Sequence, residues 1–178
     1  GLAFEILNSI SMGCHINFLG KTPSPRVLLD AFSKVKPKLV LAVPLIIEKI
    51  VTKNVLPKLQ EGAAKTLIKI PLLNNIVYSK VRKSMIEVFG GNLNEVVIGG
   101  AALNADVEKF LRKVKFPYTV GYGMTECGPL ISYAYWTAFK ERSCGKVVDR
   151  MEVKIDSEDP QNTVGEIFTK GANLMLGY

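Results

Sequence analysis

Apolar positions along the chain follow two periods, and their order predicts an open α/β sheet. Val27, Leu28, Ala31, Phe32 and Val35 fall on one helical face behind Ser24-Pro25, a cap followed by a proline suited to a first turn. Lys36-Pro37 ends that helix. Leu39 to Val43 is a continuous apolar run, expected for a strand buried on both faces of a parallel sheet. Pro44 opens a helix over Leu45 to Leu56, which Pro57 should close, and residues 58–73 read as less regular helix. Val77, Val81, Met85 and Val88 form the next stripe, with Gly90-Gly91 as its stop. Glu95 to Ile98 predicts a strand ending in Gly99-Gly100. Asn104 then caps a helix with Asp106 and Glu108 in its first turn and an apolar face of Val107, Phe110, Leu111 and Val114.

Helix–strand–helix–strand order is the grammar of a doubly wound, mostly parallel sheet flanked by helices. Upstream, residues 1–12 read as a helix stopped by Gly13, and residues 15–19 alternate as a short strand. His15, the single histidine, sits in that stretch and receives no catalytic role. The texture changes after Pro129. Leu130 to Tyr133 is a short strand, 136–145 a polar loop, and Met151, Val153 and Ile155 alternate with charged residues as a half-exposed antiparallel strand. Asp159-Pro160-Gln161-Asn162 is a turn cluster, and Gly165 to Thr169 its partner strand. The pattern divides into an α/β part, residues 1–134, and the start of an incomplete β-rich part, residues 135–178.

Candidate chemistry concentrates in residues 118–129, YTVGYGMTECGP. A strand leads into Gly121 and Gly123, which bracket Tyr122, and Thr125 and Glu126 follow at its carboxyl end, where open α/β sheets bind ligands. Gly121-x-Gly123 begins a dinucleotide fingerprint, but Glu126 stands where the third glycine belongs. A carboxylate facing a pyrophosphate repels it unless a divalent metal lies between them. The motif therefore indicates a metal–phosphate site or no phosphate at all, and a surface turn with a solvated glutamate fits it as well. Gly99-Gly100 allows the same two readings, a close backbone approach to ligand or a plain tight turn. Successive βαβ strands usually neighbour each other, which would place both turns in one pocket.

GYGMTE (Gly121 to Glu126) resembles the adenine-binding motif of the adenylate-forming superfamily, most closely its long-chain acyl-CoA synthetases. VIGGAAL (97–103), KPKLVLAVPLIIEKI (36–50) and VGEIFTKGANLMLGY (164–178) are similar to three further stretches of that family in the same order. The resemblance implies that Tyr122 stacks on adenine, that Thr125 bonds the adenylate phosphate and that Glu126 holds Mg2+. It also assigns nucleotide and acyl contacts to Gly99, Gly100 and Ala101, and extends the nucleotide loop over Gly121, Gly123 and Met124. The implied reaction uses ATP, Mg2+ and coenzyme A to convert a fatty acid first to acyl-AMP and then to the thioester. The family's phosphate loop, ribose-binding aspartate and carboxy-terminal catalytic lysine have no match in the chain. The resemblance thus implies an internal fragment whose remaining partner is the rest of the same polypeptide, inactive when isolated. A non-catalytic α/β binding module, or an enzyme activating amino or aryl acids, is the alternative.

Composition adds little to this picture. With 48% hydrophobic and 22% charged residues, 178 residues suffice for one sizeable core. The net charge of +7 is spread over single and paired lysines without interleaved aromatics. That argues against nucleic acid and allows a weak peripheral attraction to anionic membranes. No signal peptide is visible. Cys14, Cys127 and Cys144 lack metal or redox spacing, so free thiols in a reducing cytoplasm are expected, with Cys127 inert.

Overall fold

The computed structural model describes residues 6–20, 22, 25–60, 67, 70 and 73–178. The expectations for residues 1–5, the Ser24 cap and most of 58–73 lie outside these. Residues 6–11 are helical, as expected for the described part of 1–12, and the helix ends at Gly13 (φ 66°), whose N–H donates to the Ile10 carbonyl. Residues 14–20 form no strand, because no described residue pairs with them and a lone strand leaves its backbone groups unmatched.

Helix α1 (Pro25–Val35) leads into β1 (Leu39–Ala42). Helix α2 (Pro44–Lys49) runs without a break into a π-helical stretch (Ile50–Val55) and α3 (Leu56–Gln60). Pro57 therefore sits inside the helix instead of closing it. The Leu56 N–H reaches back to the Val51 carbonyl, and this wider turn makes room where the Pro57 ring would otherwise crowd the preceding carbonyls. Helix α4 (Leu73–Val88) stops at Gly90 and Gly91, both at positive φ, and strand β2 (Glu95–Ile98) follows. Helix α5 (Ala105–Lys113) is capped by Asn104, whose side-chain oxygen accepts from the N–H groups of Asp106 (2.9 Å) and Val107 (3.2 Å).

Strand β3 (Tyr118–Val120) completes a parallel sheet in the order β1-β2-β3. Register aligns Val40, Val96 and Tyr118, then Ala42, Ile98 and Val120, so these six share one face. The main core forms there, against Phe32 of α1, Ile47 of α2, Tyr78 and Met85 of α4, and Val107 and Leu111 of α5. The opposite face carries Leu39, Leu41, Glu95, Val97 and Thr119. Leu39 and Leu41 are 54% and 39% exposed, so β1 is an edge strand buried on one face, contrary to the expectation from its unbroken apolar run.

The expected single strand over 118–122 is split. β3 stops at Val120, the chain bends at Gly121, and β4 (Tyr122–Gly123) joins a second, antiparallel sheet with β5 (Leu130–Tyr133) and β6 (Lys146–Val147). A β-hairpin of β7 (Met151–Asp156) and β8 (Glu166–Gly171) follows, paired over six residues as the alternation indicated. This is a mixed α/β architecture with a parallel sheet and smaller antiparallel sheets. Among the described residues no helix is long and apolar enough to cross a membrane.

Candidate active site

Three strand ends meet at the carboxyl edge of the parallel sheet. The Gly99 N–H donates to the Ala42 carbonyl at 3.1 Å, and the Gly121 N–H to the Ile98 carbonyl at 2.9 Å. A β-carbon on Gly99 would stand 3.5 Å from the Gly121 carbonyl oxygen, so the two glycine turns touch. The expected juxtaposition is present. Gly100 has φ 87° and nothing within 4 Å of where a side chain would go, while Ala101 is exposed beside it. Open space and a left-handed backbone at one residue make a turn that leaves room in front of itself.

Past Gly121 the loop is held by the second sheet. Gly123 lies so close to β5 that a β-carbon there would fall 2.0 Å from the Pro129 carbonyl oxygen, and that oxygen accepts the Met124 N–H at 2.8 Å. Thr125–Cys127 is one 3₁₀ turn closed by Gly128 in the left-handed region. The half-buried Tyr122 and Met124 pack against a small core of Cys127, Ile131 and Met151, joined by Val148 and Leu174. Thr125 is exposed. Glu126 accepts a hydrogen bond from the Tyr178 hydroxyl at 2.6 Å, which together with its own backbone N–H holds its carboxyl below the usual carboxylate range. It is therefore ionised at neutral pH.

The structure brings Gly99, Gly100, Ala101, Gly121, Tyr122, Gly123, Met124, Thr125 and Glu126 to one edge of the fold. Among the described residues no three acids, histidines or cysteines cluster as a cation cage. Mg2+ commonly takes one or two carboxylates and completes its shell with substrate phosphates and water. Glu126, ionised and next in sequence to the exposed Thr125 hydroxyl, could supply one such carboxylate. His15 is exposed and remote in sequence from this edge, and the buried Cys127 makes a 3.5 Å contact with the Thr169 hydroxyl.

Two acids that the sequence marked only as a strand start and a first-turn helix acid anchor the site from behind. Glu95, 3% exposed, accepts from the Tyr133 hydroxyl (2.6 Å) and the Trp136 N–H (2.7 Å). Glu108, 2% exposed, accepts from the Arg142 N–H at 3.0 Å and its guanidinium at 3.5 Å. The Thr119 hydroxyl donates to the Ala134 carbonyl at 2.7 Å. Together they fasten the segment after β5 to the parallel sheet and α5, fixing β5 and hence its partner β4. Burial and the adjacent Glu95 carboxylate raise the Tyr133 pKa, so it keeps its proton. The only prior signal was position: Glu95 opens a strand that is otherwise apolar, where an acid is buried only if it is paired.

An open α/β sheet whose strand ends present glycine turns, a ring, a hydroxyl and a carboxylate is the frame of a ligand-binding α/β protein. The AMP-binding enzyme family matches the chain across residues 1–178, and the chain belongs to that family. Its curated relatives include long-chain-fatty-acid–CoA ligase 4 of Saccharomyces cerevisiae, 31% identical over 147 residues, covering 72% of this chain and 21% of the relative. Another is 4-coumarate–CoA ligase of Pinus taeda, 33% identical over 122 residues, covering 61% and 22%. The chain thus spans about a fifth of the length of these relatives. Among solved structures, benzoate CoA ligase from Burkholderia xenovorans aligns with a TM-score of 0.67 at 15% identity over 96% of this chain and 30% of that one. The o-succinylbenzoate coenzyme A synthetase of Bacillus subtilis, solved with ATP and magnesium ion, aligns at 0.59 and 20% identity over 97% and 30%. At such identities the likeness establishes the fold.

Proposed function

We propose that the protein containing this chain is an ATP-dependent acyl-CoA ligase. An acyl carboxylate oxygen attacks the α-phosphorus of ATP and expels pyrophosphate. The coenzyme A thiol then attacks the acyl carbon of acyl-AMP and AMP leaves. The observation that carries this reading is the contact of the Gly99-Gly100 turn with Gly121, at a strand edge that also carries Tyr122, Thr125 and Glu126. The Tyr122 ring offers a stacking face to adenine. Gly99, Gly100 and Ala101 offer backbone next to open space, and the Thr125 hydroxyl a hydrogen bond to phosphate. Glu126 would hold a nucleotide-borne Mg2+, which when bound spreads the developing phosphate charge. Such chemistry rests on positioning and charge neutralisation, so the lack of a strong base at this edge is no obstacle.

A long-chain fatty acid is our preferred substrate, supported by the longer match to the yeast fatty-acid ligase. An aryl acid is the second reading, favoured by coumarate–CoA ligases at 33–35% identity. Competition between palmitate and 4-coumarate in the full-length protein separates them. Glu126→Gln in the full-length protein tests the site. Adenylation should fall by on the order of 10²–10⁴-fold, with partial rescue by excess Mg2+. Thioester formation from supplied acyl-adenylate should suffer far less, because the triphosphate and its metal have gone. Wild-type adenylation, or equal loss of both half-reactions, would refute the role.

A further inference from the structure

Residues 171–178 fold back over the GYGMTE loop as a strap. The Met175 N–H donates to the Glu126 carbonyl at 2.8 Å, and the Asn173 side-chain amide donates to the Cys127 carbonyl. Leu174 packs into the small core that also supports Tyr122 and Met124. Gly128 faces the same strap, since a β-carbon there would stand 3.2 Å from the Asn173 carbonyl oxygen. The backbone from Glu126 through Gly128 is thus held by one segment. That segment then places the Tyr178 hydroxyl 2.6 Å from Glu126 Oε1.

We propose that Tyr178 is a positioning residue for Glu126: its phenol fixes the carboxylate in one orientation so that it meets the metal–nucleotide complex already aimed. This rests on the reading of Glu126 given above. A glutamate has three side-chain torsions, and an exposed one samples many rotamers unless a partner holds it. Bonds to the backbone from the Met175 N–H and the Asn173 side chain set where the residue starts, and among the described residues Tyr178 reaches its far end. A phenol is suited to the task. It donates one hydrogen bond, stays neutral at working pH and leaves the carboxylate its full charge for a cation. Partners of metal-binding carboxylates commonly tune affinity in this way without touching the metal.

The test uses the full-length protein as wild type, Tyr178→Phe, Glu126→Gln and the double variant. Calorimetry measures binding of the Mg2+ complex of a non-hydrolysable ATP analogue and, separately, of AMP without metal. Tyr178→Phe should weaken the metal complex by about tenfold, the low end for partners of metal ligands because water competes at this exposed position. AMP binding should be unchanged. The Mg2+ concentration for half-maximal adenylation should rise in parallel, with the rate recovering at saturating Mg2+. In the Glu126→Gln background the tyrosine change should add nothing. Wild-type binding by Tyr178→Phe overturns the inference, as does an equal loss of AMP binding, which would mean that the strap only shapes the loop. An effect that persists undiminished without the Glu126 carboxylate overturns it as well. If instead Glu126→Gln binds the metal complex like wild type, the reading of Glu126 fails and takes this inference with it, an outcome distinct from Tyr178→Phe alone behaving as wild type.

Discussion

Gly123→Ala isolates the claim that the GYGMTE loop must lie where it does. The added methyl would sit 2.0 Å from the Pro129 carbonyl oxygen, 2.9 Å from its carbon and 3.1 Å from the Leu130 α-carbon. Real β-carbon contacts do not fall below 3.0 Å, so β4 and β5 must separate by about 3.0 − 2.0 = 1.0 Å. All the obstructing atoms are backbone, so no side chain can swing aside. Overpacking of this kind costs about 1–3 kcal/mol. The 2.8 Å bond from Met124 to the Pro129 carbonyl stretches or breaks, at about 1 kcal/mol. The functional loss should be larger than the structural one. Tyr122, Thr125 and Glu126 all ride on this strand and turn, and a 1 Å misplacement costs about 10²-fold in rate. Denaturant unfolding and adenylation kinetics of the full-length variant give the two numbers side by side. A folded Gly123→Ala enzyme with kcat/KM within about twofold of wild type would show that the loop's position does not matter to the chemistry.

Gly100→Val should reduce adenylation by more than its loss of stability explains. It strains a residue at φ 87° by about 1–2 kcal/mol but otherwise enters open space. A melting temperature that collapses in step with activity would reduce Gly99-Gly100 to a turn. Glu95→Ala strips the acceptor from both Tyr133 and Trp136, and should lower the free energy of unfolding by about 3 kcal/mol in denaturant titration. A change below about 0.5 kcal/mol would show that the clasp is ornamental. Tyr118 and Tyr133 should stay protonated when ordinary tyrosines ionise near 10.0, visible as late titration in ultraviolet absorbance. Their pKa values are raised in the fold, so their contribution is complete below pH 10.0 and declines as pH rises beyond it. Tyr133→Phe should flatten that alkaline decline, and an unchanged slope would contradict the burial argument.

Local signals carried most of the α/β part. The Asn104 cap, the Gly90-Gly91 stop and the paired β7–β8 alternation each depend on nearest neighbours, which a sequence displays directly. Adjacency of the two glycine turns followed from the habit of successive βαβ strands. Features set by distant residues were not legible. Leu39 and Leu41 look like any buried run, and their exposure depends on what stands across the sheet. Tyr118 to Tyr122 reads as one strand, because the sequence does not show that Tyr122 pairs with Ser132 of another sheet. His15 to Leu19 alternates as a strand should and still has no partner among the described residues. Glu108 read as a first-turn acid facing the helix dipole, and only the fold supplies Arg142 to bury it against.

Those two buried acids explain how a site built on two different sheets keeps one geometry. Gly99 and Gly100 follow β2 of the parallel sheet, whereas Tyr122 and Gly123 belong to the antiparallel one, and Gly121 alone joins β3 directly to β4. A hydrophobic seam between the sheets would tolerate sliding, since apolar contacts carry no direction. Carboxylates do carry direction: Glu95 accepts from a side chain on β5 and from backbone just beyond it, and Glu108 from Arg142 in the same segment. Each bond has a narrow distance and angle, and each leaves an unpaired buried charge if it breaks. Sliding β5 relative to β2 therefore meets a penalty at Glu95 before it reaches the site, and a second at Glu108. On this argument Glu95→Ala should do more than destabilise. At a temperature where the variant is still folded, adenylation should fall while thioester formation from supplied acyl-adenylate, which needs no triphosphate metal, falls less. Equal loss in both half-reactions would mean that the clasp supports the fold and not the registration of the two sheets.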